Sequence, residues 1–120
     1  MECGPREAST RYFLHNNLGY SMTQLGMFAE GEKYCRTAIE IDPQRHNSYK
    51  NLGLALQGQG IYPEAAACLI RAAFICPTDS RAVGHLEEIL ANHQEEVERE
   101  IPDVAEHLAA VIDARNKLMQ

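Results

Sequence analysis

Tryptophan is absent from this sequence and proline is sparse, with five in 120 residues. No stretch approaches the roughly 20 consecutive apolar residues that a membrane-spanning helix needs. The opening Met1-Glu2-Cys3-Gly4-Pro5 lacks the basic-then-apolar order of a secretory signal. A cytoplasmic location is therefore expected. Clustered Lys and Arg are missing too, which argues against nucleic acid and against anionic membranes as partners. There is no phosphate loop, GxSxG, HExxH or CxxC, so no catalytic constellation and no cofactor is expected. His15, His46, His85, His93 and His107 are dispersed, and Cys3, Cys35, Cys68 and Cys76 have no zinc-ligand spacing, so no metal is expected either. Cys35 and Cys68 fall on apolar helix faces and read as reduced core thiols.

What is present favours helix. Apolar residues make up 45% of the chain, enough for a packed core, and the Ala and Leu stand among Glu, Gln, Lys and Arg, all good helix formers. The length suits a single domain spanning 1–120. The net charge of −6 is unevenly placed: residues 1–78 hold seven acidic and seven basic side chains, residues 79–120 ten and four. With nucleic acid and membrane disfavoured, a protein partner remains.

The strongest signal is internal repetition. A shift of 34 residues carries Leu18-Gly19 onto Leu52-Gly53, Asn17 onto Asn51, Gly26 onto Gly60 and Phe28 onto Tyr62. It also carries Glu30 onto Glu64, Ala38 onto Ala72, Ile41 onto Ile75 and Pro43 onto Pro77. A third copy begins with Val83, Leu86 and Leu90, then fades where Gln94 and Glu96 replace Gly60 and Tyr62.

Each unit reads as two helices. In the first, Ser9 or Thr10 is placed to cap a helix whose apolar stripe is Phe13, Leu14, Leu18, Met22 and Leu25. Gly26 ends it, a second helix follows, and Asp42-Pro43 closes that one, because the residue before proline avoids the helical region. The predicted helices lie near 10–25, 27–41, 45–59, 61–75, 79–100 and 102–118, with no strand. Gly19, Gly31, Gly53, Ala38, Ala65 and Ala72 are small where paired helices must approach closely. Asp79 or Ser80 can cap the fifth helix. Pro102 fits the first turn of the sixth, which carries Val104, Leu108, Val111, Ile112 and Leu118.

The 34-residue period, Leu-Gly in the first helix, Gly then Phe or Tyr at the turn, Ala in the second helix and Pro at the exit resemble the tetratricopeptide repeat. The resemblance covers residues 11–78 and part of a third unit, with His15 and Tyr49 where that family often has Trp. It implies an all-α solenoid: repeat 1 at about 11–44, repeat 2 at about 45–78, and two capping helices at about 79–120 whose acidic outer side faces water. A dimer surface on those last helices is the alternative.

The resemblance also implies a concave groove lined by the first helix of each unit. Carried across in register, the groove residues are Phe13, Asn16, Asn17, Tyr20 and Gln24 on the first, Asn47, Lys50, Asn51, Leu54 and Gln57 on the second, and Arg81, Gly84, His85 and Glu88 on the partial third. Asn17 and Asn51, one repeat apart, resemble the asparagine ladder of peptide-binding members, since an amide can pair with both N–H and C=O of an extended backbone. Lys50, Arg81 and His85 make the groove locally basic. They resemble in part a carboxylate clamp, from which Asn16 and Tyr20 depart. The expected function is non-catalytic: an adaptor or scaffold binding a peptide or protein segment in the groove. The alternative is an assembly module that ties subunits together, as a homodimer, through the C-terminal helices.

Overall fold

A computed structural model describes residues 5–120; Cys3 lies outside them. The described residues form six α-helices and no strand: α1 (Pro5–Gln24), α2 (Phe28–Ile41), α3 (His46–Gly58), α4 (Tyr62–Ile75), α5 (Ser80–Glu100) and α6 (Val104–Leu118). No helix is long and apolar enough to cross a membrane.

The 34-residue period is visible in the backbone itself. Gly26 (φ 80°) and Gly60 (φ 75°) both adopt the left-handed region that an L side chain disfavours. At each, the next residue's N–H reaches back five positions, Met27 to the Met22 carbonyl at 2.8 Å and Ile61 to the Leu56 carbonyl at 3.0 Å. The glycine N–H reaches back three, to Thr23 and Gln57, both at 3.0 Å. This paired closure satisfies carbonyls that the helix end would otherwise leave bare. The second helices end alike: the Asp42 N–H bonds the Ala38 carbonyl and the Cys76 N–H the Ala72 carbonyl, both at 3.0 Å, before Pro43 and Pro77.

Within each unit the two helices run antiparallel and close. A methyl added at Gly19 would collide with the Cys35 sulfur and lie 3.1 Å from the Cys35 nitrogen, while Gly31 faces Thr23. One added at Gly53 would lie 2.9 Å from Leu69 carbons and 3.3 Å from the Ala65 carbonyl. Ala38, Ala65 and Ala72 are likewise buried. The small residues are thus where the backbones press together.

Three sequence expectations shift. Ser9 and Thr10 lie inside α1, which starts at Pro5, a residue whose missing N–H costs nothing at a first helical position. Asp103, not Pro102, stands immediately before α6. The α1 stripe is also only partly a core face: Phe13, Leu14 and Leu25 are exposed and Leu18 and Met22 half-buried. Tyr12 is the apolar residue α1 buries, and its hydroxyl accepts the Ser48 N–H at 3.3 Å, tying α1 to α3. Burial pushes that phenol above its ordinary pKa.

The core lies further along, in Leu56, Leu69, Leu86, Ile89, Val97, Val104 and Val111. Asp79 caps α5, its carboxylate accepting the Arg81 N–H. α5 breaks at His93 (φ −138°, ψ 31°). The break falls in the register of the Gly26 and Gly60 turns, where the third copy has Gln94. Lacking a residue suited to positive φ there, the chain kinks instead of reversing. The His93 ring stacks on Tyr62 at 3.5 Å between centroids, holding the kinked segment on α4. The first helices α1, α3 and α5 are neighbours in that order, so they form one side of the molecule.

Candidate functional site

That side carries two adjoining hollows. One, of about 490 Å³, is lined by Tyr20, Thr23, Gln24, Phe28, Lys50, Leu54, Gln57, Gly58, Arg81 and His85. The other, of about 210 Å³, is lined by Asn16, Asn17, Tyr20, Asn47, Lys50, Asn51 and Arg81. They share Tyr20, Lys50 and Arg81 and so form one continuous depression across α1, α3 and α5. Another hollow, about 650 Å³, is lined only by residues 90–99 of α5 and brings no separate elements together.

Eleven of the fourteen residues assigned to the groove from register line this depression. Phe13, Gly84 and Glu88 do not. The Phe13 ring packs edge-on against Tyr12 and lies 5.0 Å from the Arg45 guanidinium, outside both hollows. Thr23, Phe28 and Gly58 line it without having been assigned to it. The ring of Phe28, first residue of α2, occupies the space that a side chain at Gly58 would need, so it reaches the groove from the second helix of its unit. Phe28 was conspicuous as a repeat match with Tyr62, but the pattern carried no sign that it faced the groove.

The amides are arranged differently from a ladder. Asn51 is buried and donates from Nδ2 to Oδ1 of Asn16, also buried, at 2.9 Å, while Asn17 stays exposed. Residues 16 and 17 are about 100° apart on a helix, and it is Asn16 that turns toward α3. The Asn51 Oδ1 is buried and accepts no hydrogen bond among the described residues. Turning both amides over exchanges this unpaired acceptor for an unpaired donor, so the pair leaves one buried polar atom either way. Such an atom costs about 1–3 kcal/mol unless something pairs with it.

The charge is also more localised than the residue types suggest. Arg81 is held by Asp79 through Nε–Oδ1 at 2.9 Å and Nη2–Oδ2 at 2.6 Å, and its Nη2 also donates to Asn47 Oδ1 at 3.1 Å. Those hydrogen bonds from Arg81 hold the Asp79 carboxyl well below the usual carboxylate range, with His46 3.1 Å away on the same oxygen. Burial lowers the His85 pKa; Glu88 opposes the shift, and the Lys50 and Arg81 charges add to it. Lys50 is the cation left over. It is only 6% exposed and makes no ion pair among the described residues. Its ammonium sits 5.6 Å from the Tyr20 ring centroid, within cation–π range. Burial and then Arg81 push its pKa down.

No family model matches this chain, and no curated protein matches it. The groups around the depression offer hydrogen bonds, one positive charge and aromatic faces. Among the described residues no three His, Cys, Asp or Glu are grouped so as to hold a metal ion. Cys35 and Cys68 are packed away from this surface, and burial pushes both thiols up to about 12.

Proposed function

We propose that this chain is a tetratricopeptide-type helical module, an adaptor that binds an extended protein segment across α1, α3 and α5. The observation that carries the reading is the pairing of two unmet needs in one depression. Among the described residues, Asn51 has a buried polar atom without a hydrogen-bond partner, and next to it Lys50 has a largely covered ammonium in no ion pair. A peptide backbone supplies the first need and a carboxylate the second. Tyr20, Leu54 and Phe28 give the segment apolar surface to lie on. Gln24, Gln57 and Asn47 give further amide groups at intervals along it.

The bound segment is therefore expected to be extended, with an acidic side chain level with Lys50. Selection of random displayed peptides on the immobilised chain tests this. Enrichment of Asp or Glu is expected on the wild type, and its loss on Lys50→Met, which keeps the covered stem and removes the charge. Equal enrichment on both proteins would remove Lys50 from the binding surface.

A further inference from the structure

A separate surface lies at the other end of the chain. α5 and α6 diverge and leave an apolar cleft of about 300 Å³, whose floor includes Leu90, Leu108 and Ile112. Leu108 and Ile112 are only half-buried, and Ala105 and Ala109 beside them are exposed. α6 is anchored chiefly by Val104 and Val111, each 1% exposed, so one face of it is covered and the adjacent face is open. Alanine at 105 and 109, one helical turn apart, would let a second helix approach closely.

We infer that this cleft is a two-fold interface with a second copy of the same chain, in which α6 lies antiparallel to α6 of the partner subunit. The charge order along α6 favours a second copy as the occupant. Asp103 and Glu106 stand at its start and Arg115 and Lys117 at its end, with Asp103 also against His107 and Lys117 against Asp113 within the helix. Antiparallel pairing sets the acidic start of each helix beside the basic end of the other, and a two-fold axis makes every such contact twice. The cleft's rim repeats the pattern. Glu98, which accepts a hydrogen bond from Gln94, lines it, and Arg115, which has no ion pair among the described residues, would reach it from the partner subunit. The same element thus supplies both the open cleft and the helix that fits it. The surface is distinct from the α1–α3–α5 depression, so the inference does not depend on peptide binding there.

Sedimentation equilibrium of the whole chain, from micromolar to submillimolar, tests it. The expected result is a reversible rise toward twice the 13.4 kDa chain mass. Ala109→Glu, at an exposed site in the middle of the interface, is expected to weaken dimerisation by about tenfold or more with an unchanged helical circular dichroism spectrum. Arg115→Glu is expected to weaken it as well, and the double variant Glu98→Arg with Arg115→Glu to restore it. A wild-type chain that stays at 13.4 kDa throughout overturns the inference. So does a dimer indifferent to Ala109→Glu, which would use another surface, and so does a double variant no better than Arg115→Glu alone.

Discussion

Gly53 and Gly84 are both interior to helices, yet replacing each by alanine should change stability in opposite directions. In a helix interior, alanine is favoured over glycine by about 1 kcal/mol, mostly because glycine loses more backbone freedom. At Gly84 the added methyl meets nothing within 4 Å. Gly84→Ala should therefore stabilise by about 0.5–1 kcal/mol. At Gly53 the methyl lands 2.9 Å from Cγ and Cδ2 of Leu69 and 3.3 Å from the Ala65 carbonyl. Leu69 is fully buried and has little room to yield. Overpacking of this kind costs about 1–3 kcal/mol, which outweighs the propensity gain. Gly53→Ala is then neutral to destabilising by about 2 kcal/mol, and the bulkier Gly53→Leu destabilises by about 1–3 kcal/mol or more. Urea denaturation reads the difference directly. With a slope of about 1–3 kcal/mol per molar for a chain this small, the two alanine variants should separate by roughly 1 M in midpoint. If Gly53→Ala raises the midpoint as Gly84→Ala does, α3 and α4 are not pressed together at Gly53 and the packing account of the repeat fails.

Three further outcomes are expected. Because Arg81 depresses the Asp79 pKa, that pair stabilises the fold above the unfolded carboxyl's pKa of about 4 and the contribution fades as pH falls below it. Asp79→Asn keeps a capping oxygen, so it should flatten the acid limb of a pH–stability curve; an unchanged limb would mean that the ion pair contributes nothing. Cys35 and Cys68, with thiols raised to about 12, should alkylate about a thousandfold more slowly at pH 8 than an ordinary cysteine, and normal rates would show that α2 and α4 open readily. Deleting residues 102–120 uncovers what Val104 and Val111 now cover and should cause aggregation or loss of a cooperative transition, whereas a soluble, equally stable product would assign α6 to binding alone.

The helix limits were legible because they rest on residues with few alternatives. Glycine at 26 and 60 and proline at 43 and 77 mark places where the backbone must leave the helix; α1 and α3 stop beside the glycines, α2 and α4 beside the prolines. The kink at His93 was not legible in the same way. It arises from what the third copy lacks at 94, and a missing glycine does not say whether the chain kinks or runs straight. The groove was legible as a set of positions on three adjacent helices. Its chemistry was less so. Sequence spacing sets the angle of a residue around its helix but not its partners. That Asn51 pairs with Asn16, 35 residues away, and that Arg81 also reaches Asn47, 34 residues away, depend on contacts between helices, and so does the covering of Lys50.

The central claim is that a peptide lies across α1, α3 and α5. Its most direct test is a ¹⁵N NMR titration of the chain with a peptide obtained from selection. The side-chain amide signals of Asn16 and Asn51 and the backbone signals of Tyr20, Lys50 and Arg81 should shift together as the peptide saturates, with the shifts reduced in Lys50→Met. Shifts confined to α5 beyond His93 and to α6, with the Asn51 amide unmoved, would contradict the account and place binding at the opposite end of the molecule.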